Sequence, residues 1–276
     1  MIRSNLYEKT LYLKDIDFLI NDVIYEYDLS KANASILRDA GFIGDDTYRD
    51  LCNMDRMQRQ VTIGYWQRDL PRVAELLESG FIRARQLFFD QNDLEDNDIL
   101  SIKKDAIFTL RKVNHQRVSE HLFFKEKNFY TSYFRILSQK KELYYSKHPF
   151  TGAEALDIKG INDESIPYHE HYMKEFLMVL FETVQIDILE AIDVLSRFIS
   201  LYRQRRLDPG FYRTFNTDSK YFYFAKDGTY EVFSASELYN PNDVQYLDIS
   251  YNDMLLRDLY KILAKQYFLT TRRPKC

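Results

Sequence analysis

Two aspartates, Asp28 and Asp105, each lie where an extended apolar stretch ends. Asp28 closes the segment VIYEYD, and Asp105 lies in ILSIKKDAIFTL, between two stretches that predict the strands of a hairpin. Carboxylates that neighbouring strands bring together bind divalent cations, and two-metal sites catalyse phosphoryl and nucleotidyl transfer. The structural alternative is that Asp28 caps the following helix and Asp105 occupies a solvated turn.

The elements that must position these aspartates are predicted by hydrophobic spacing and by stop signals. The segment SKANASILRDAG predicts a helix that ends at Gly41, and DRMQRQVTIGYWQRDL predicts another. Pro71 opens a third helical segment, in which Gly80 is expected to kink or weaken the helix. The segments DILSIK, DAIFTLRKV, FFKEKNFYTSYFRIL and ELYYSK predict strands. The predicted fold class is therefore α+β with a mainly antiparallel sheet.

The C-terminal part of the chain is predicted to be mainly helical. Residues 168–206 predict one or two long helices that are interrupted near Gln185, and ISYNDMLLRDLYKILAKQYF predicts an amphipathic helix. Between them, KYFYFAKDGTYEVFS predicts a hairpin over residues 220–234, with its turn at Asp227-Gly228.

Composition excludes several classes of function. The 8 glycines form neither G-x-G-x-x-G nor the P-loop spacing, which disfavours Rossmann and Walker-type nucleotide sites. The 2 cysteines are too few for a disulfide framework or a Cys-rich zinc site. A net charge of -4 means that nucleic-acid binding would need a local basic face. Because no signal peptide or 18-residue apolar run is present, we predict a cytoplasmic protein that does not bind a membrane.

Three motifs resemble, in order, those of the palm domain of family B DNA polymerases. Residues 28–36 match D-x-x-S-L-Y-P-S-I at the Asp, the second Ser and the Ile. Residues 56–64 keep the spacing, the positive charge, a carboxamide and the Gly of K-x-x-x-N-S-x-Y-G. Residues 103–108 keep the second Asp and the Ile-Phe of D-T-D-S-I-F.

Two weaker similarities follow in the family's order. The segment KNFYTSY, residues 127–133, is similar to the Lys-Tyr element that contacts the primer duplex, and LDIKGIN, residues 156–162, is similar to a strand that ends in K-G. The resemblance implies a palm-like domain over residues 1–162 with reduced fingers helices at about 41–97. Residues 163–276 would form a thumb-like or cap region. So small a polymerase suggests a phage or mobile-element protein.

The resemblance implies a template-directed nucleotidyltransferase with a two-metal mechanism. Asp28 and Asp105 would hold Mg²⁺ or Mn²⁺, assisted by the Leu29 carbonyl. The other residues that the resemblance implies are nucleotide-binding Asn33, Arg56 and Gln60, and nucleic-acid-binding Lys127, Tyr130 and Lys159. The partners would be nucleoside triphosphates and a primer–template nucleic acid.

Several departures from the family pattern leave alternatives open. Lys103 replaces the first Asp of the third motif and, with Lys104, brings positive charge near the proposed metals. Asn33 aligns with the bulky Tyr that excludes ribonucleotides, so the sugar preference is open. Asp218, in a literal T-D-S, competes with Asp105 for the third-motif role. The alternative functions are a decayed palm that serves as a binding or scaffold protein, and an unrelated α+β interaction protein.

Overall fold

A computed structural model describes residues 10–12, 16–136, 141–148, 150–159, 167–208, 211–215, 221–224, 230–232 and 247–271. The chain divides into two compact units, the first formed by residues 1–16 and 23–129 and the second by residues 17–22 and 130–276. Across the described ranges, every helix is too short or too polar to cross a membrane.

The helices are α1 (Ala32–Asp39), α2 (Asp45–Asn53), α3 (Arg56–Asp69), α4 (Pro71–Gln91), α5 (Pro167–Ile186), α6 (Ile188–Arg203) and α7 (Ser250–Thr271). The strands are β1 (Thr10–Tyr12), β2 (Phe18–Leu29), β3 (Ile99–Lys103), β4 (Ala106–Thr109), β5 (Phe124–Ile136), β6 (Lys141–Lys147), β7 (Glu154–Lys159), β8 (Arg213–Phe215), β9 (Tyr221–Phe224), β10 (Tyr230–Val232) and β11 (Leu247–Asp248). The α+β class predicted from the sequence is confirmed.

The first unit packs helices α1–α4 on a sheet whose strands run in the order β1-β3-β4-β2, followed by the start of β5. The pairs β2–β4 and β3–β4 are antiparallel, and Tyr27, Ile107 and Ile102 are aligned across three strands. All three side chains are buried in the core that the helices share. Because strand side chains alternate between faces, the next aligned residues, Asp28 among them, point away from this core.

The helical signals of the first unit are borne out at the start and end of its helices. Gly41 has a φ of 68°, the left-handed conformation in which glycine ends a helix, and Pro71 begins α4. Helix α4 continues unbroken through Gly80 to Gln91, so the expected kink or weakening stays a prediction. The lack of a side chain at Gly80 allows Ile36 of α1 to approach α4 closely.

The second unit combines the start of β2 with the rest of β5, with β6 and β7, and with three helices. Its core joins Phe134, Leu143 and Leu156 from the strands to α5, α6 and α7. The predicted interruption near Gln185 falls at Asp187, whose carboxylate accepts the backbone N–H of Leu189 at 2.7 Å and so caps α6.

The division between the units differs from the boundary expected after residue 162. Strands β6 and β7 extend the second half of β5 and share a core with α5, so they belong with the C-terminal helices. In the predicted hairpin, Phe222 of β9 pairs antiparallel with Val232 of β10, within a four-stranded sheet β10-β9-β8-β11. The turn at Asp227-Gly228 and the competing Asp218 lie outside the described residues.

Candidate active site

Asp28 and Asp105 lie side by side because β2 and β4 pair antiparallel. Asp28 is the Cα partner of Ala106, the residue that follows Asp105. The backbone N–H of Leu29 donates to the Asp105 carbonyl at 2.9 Å, which joins the end of β2 to the turn between β3 and β4. The structure therefore brings together the two acids that the sequence singles out.

The turn that carries Asp105 is held by a buried arginine from α4. Lys104 has a φ of 51°, the left-handed region that non-glycine residues adopt at a cost in energy. Arg85 is buried, and its Nη2 donates to the Lys104 carbonyl. Burial lowers the pKa of Arg85, whereas the negative charge of Asp105 acts to raise it. Arg85 thus supports the turn and supplies positive charge near Asp105.

The end of β2 is held by backbone hydrogen bonds where the chain turns into α1. The Ser30 N–H donates to the Phe123 carbonyl at 2.9 Å, and Lys31, which precedes α1, has a φ of 49°. The Lys31 ammonium then donates to the Cys52 carbonyl at 3.0 Å. These contacts end the strand directly after Asp28 and Leu29, so the position of the carboxylate does not depend on a mobile loop.

Charged groups from several elements act on Asp28. Burial raises the pKa of its carboxyl group, and the negative charge of Asp105 raises that pKa further, as does that of Glu26. The positive charges of Lys127 and, more weakly, Arg56 lower it. The two carboxylates repel each other, and a divalent ion bound between them would relieve that repulsion.

The raised pKa of Asp28 predicts that this residue destabilises the fold at neutral pH. Its contribution to stability is present below the ordinary value of 3.8 and is lost as the pH rises through the raised value, because folding then buries a charge. Asp28→Asn should therefore unfold at a higher temperature than the wild type near neutral pH. Each kcal/mol gained corresponds to about 2–4 °C.

Thermal unfolding of both proteins near pH 7 and near pH 4 measures this effect. The difference should shrink as the pH falls, because the raised pKa means that the Asp28 carboxyl of the folded protein is protonated at a higher pH than that of the unfolded chain. Asp46→Asn, at a side chain that is 93% exposed, serves as the control and should change stability little. A destabilised Asp28→Asn variant at neutral pH would contradict the argument.

The residues predicted to bind nucleotide lie on helices of the same unit. Arg56 begins α3 and is exposed, and Gln60, one turn later, lies on the same exposed face. Asp55 caps this helix by accepting the Gln58 N–H at 2.9 Å. Asn33 is half-buried in the first turn of α1. Of the three predicted residues, Arg56 is the one for which an electrostatic effect on Asp28 is found.

The three residues predicted to bind nucleic acid have different surroundings. Lys127 belongs to the first unit, and its Nζ lies 3.4 Å from a Glu26 carboxylate oxygen. In the second unit, Tyr130 is 1% exposed and donates its hydroxyl to Asp157 at 2.5 Å. The Lys159 ammonium lies 3.4 Å from the same Asp157 oxygen. Burial removes the Tyr130 ring from the surface, so the direct duplex contact expected of it is wrong.

Sequence reasoning missed four residues of the site. Glu26 is spaced two residues before Asp28 and therefore shares its face of β2, a signal that the sequence does contain. Asn128 donates to Glu26 at 2.8 Å. Arg85 has no local signal, because a polar residue in an amphipathic helix ordinarily faces solvent. A fourth, Phe129, is the exposed aromatic residue next to buried Tyr130.

The paired carboxylates suit a hard divalent cation such as Mg²⁺ or Mn²⁺, which prefers oxygen ligands. The effect of Asp105 on the Asp28 pKa is the expected sign of two acids that share such a site. Within the described ranges, no cluster of three or more Asp, Glu, His or Cys side chains is suited to hold a metal. Further ligands would therefore be the Leu29 carbonyl, water or substrate oxygens.

The sequence matches the family model of the bacteriophage PBS1 gene 130 protein over residues 1–265. The chain belongs to this phage protein family. The phage origin suggested by its small size is therefore supported. A search of curated proteins found no match. The family match spans both units, including Asp28, Asp105 and the helices that carry Arg56 and Arg85.

Proposed function

We propose that this chain is a template-directed nucleotidyltransferase with a polymerase-like palm, which extends a primer from nucleoside triphosphates. The observation that carries the proposal is the pairing of β2 with β4, which sets Asp28 beside the turn that holds Asp105. Support also comes from Arg56 and Lys127, because both cations act electrostatically on Asp28. A carboxylate pair with cations beside it suits phosphoryl chemistry, in which anionic oxygens must be bound near a metal.

Each residue of the site would have a separate task in this reaction. Of two divalent cations held by Asp28 and Asp105, one would acidify the primer 3′-hydroxyl and the other would neutralise the triphosphate and the leaving pyrophosphate. Arg56 would donate charge-assisted hydrogen bonds to triphosphate oxygens, and Gln60 would contact the same phosphates or the base. Asn33 would lie at the sugar, where its short side chain leaves space for a 2′-hydroxyl.

Nucleic acid would bind along the exposed part of β5. Lys127 has a half-exposed side chain, and Phe129 is 40% exposed. A cation and an aromatic ring on one strand offer a phosphate contact and a stacking surface, the two contacts that single-stranded nucleic acid uses. Phe129 replaces Tyr130 as the aromatic contact in this proposal.

A primer-extension assay with Mg²⁺ or Mn²⁺ tests the proposed function. We expect extension that requires the template and stops when the cation is chelated, and deoxy- and ribonucleotides tested in parallel show the sugar preference. A reaction without template controls for untemplated addition. If no condition gives extension while nucleic acid still binds, the palm is a decayed one with a binding role.

A further inference from the structure

Glu26 is a carboxylate buried inside the sheet beside the proposed site. It lies two residues before Asp28 on β2, and its side chain is 1% exposed. A buried carboxylate requires hydrogen-bond or ionic partners. Asn128 donates to one oxygen at 2.8 Å, and the Lys127 ammonium lies 3.4 Å from the other. Two successive residues of β5 therefore hold this buried acid.

The same contact restrains the position of Lys127. Its side chain is 49% exposed, and a surface lysine of that exposure ordinarily samples many rotamers. A charge-assisted bond to a buried carboxylate favours one of them. Lys127 is also the cation with the largest effect on Asp28. The ammonium group is thus held at Glu26 within electrostatic range of the carboxylate pair.

We propose that Lys127, held by Glu26, is a built-in cation of the site, and that the Asp28–Asp105 pair therefore binds one divalent cation before nucleotide enters. This inference rests on the proposed function and replaces its two-metal expectation for the free protein. A second ion would meet the positive charge of Lys127, and Glu26 is already engaged by Lys127 and Asn128. Glu26 is accordingly a positioning residue, not a ligand.

Titration of Mn²⁺ into the full chain, followed by calorimetry or by electron paramagnetic resonance, tests the inference without any assay of activity. We expect one Mn²⁺ per chain, and this binding should be lost in Asp28→Asn and in Asp105→Asn. Two ions per chain that both depend on these aspartates would overturn the inference and leave the proposed function standing. Absence of Mn²⁺ binding at any concentration would overturn both.

Lys127→Gln gives an independent test, because its amide can still donate to Glu26 while the charge is removed. We expect this variant either to bind a second Mn²⁺ or to bind the first about tenfold more tightly, since a repelling charge is lost. Lys125→Gln, the same change at an exposed lysine of the same strand, is the matched control and should leave binding unchanged. Equal stoichiometry and affinity in Lys127→Gln and the wild type would overturn the inference.

Discussion

Primer extension by Asp28→Asn is expected to be about a thousand-fold slower than by the wild type. Asn keeps the size of the side chain but removes the charge with which Asp28 would bind a divalent cation. Metal-ion stabilisation of a phosphoryl-transfer transition state is worth several kcal/mol, and about 4 kcal/mol corresponds to a thousand-fold in rate. The rate of single-nucleotide addition at saturating Mn²⁺ and triphosphate is the measurement.

Two comparisons separate this chemical effect from loss of the fold. Asp28→Asn should be at least as stable as the wild type near neutral pH, since the folded state already favours the neutral form of Asp28. Asp46→Asn, at an exposed aspartate of α2, should retain full activity. Asp105→Asn should slow primer extension as much as Asp28→Asn does. The double variant should be only slightly slower than either single variant, because the effects of residues that act as one unit are not additive. Undiminished extension by Asp28→Asn would reject the site.

Local signals are sufficient to predict the elements on either side of the two aspartates. The apolar run before Asp28, the hairpin pattern around Asp105 and the glycine stop at Gly41 each depend on neighbours in sequence. Strand β2, helix α1 and the pair β3–β4 follow these signals in the structure. Placing the two acids side by side additionally requires the pairing of β2 with β4, which is a contact between distant segments.

The buried charges of the site depend on contacts that no local pattern reports. Arg85 lies in α4 but donates to the carbonyl of Lys104, 19 residues further along the chain. Glu26 and Lys127 are 101 residues apart. Burial of a charged residue ordinarily requires such a partner, so the sequence alone favours a solvated face for each of them. The burial of Arg85 and Glu26 therefore becomes visible only when the sheet is assembled.

The choice between Phe129 and Tyr130 shows how strand register limits sequence reasoning. The two residues are neighbours in β5, and a shift of one residue exchanges the faces of a strand. The motif similarity favoured Tyr130 as the surface contact, whereas the structure buries Tyr130 against Asp157 and exposes Phe129. Which aromatic ring reaches the surface depends on the pairing of the whole strand.

Gly80→Ala is expected to destabilise the fold by about 1–2 kcal/mol, although alanine is the better helix former. A Cβ at position 80 would lie 2.1 Å from Cγ2 of Ile36, which is itself buried. Forcing atoms into a packed core costs about 1–3 kcal/mol, whereas exchanging glycine for alanine in a helix gains about 1 kcal/mol at most. The free energy of unfolding in urea measures the balance.

Gly64→Ala is the matched control, because Gly64 lies inside α3 and an added Cβ there would have, beyond its chain neighbours and its own helix backbone, no atom within 4 Å. That variant should be more stable than the wild type by up to about 1 kcal/mol, since the helix propensity gain meets no clash. An Ile36→Ala/Gly80→Ala double variant removes Cγ2 of Ile36, the atom that would clash. Its loss in the free energy of unfolding should be smaller than the sum of the losses in the two single variants. Stabilisation by both glycine replacements would show that α1 and α4 are not in close contact at Ile36. Helix α1 begins four residues after Asp28, so the same clash should also lower Mn²⁺ affinity in Gly80→Ala, whereas Gly64→Ala should leave that affinity unchanged.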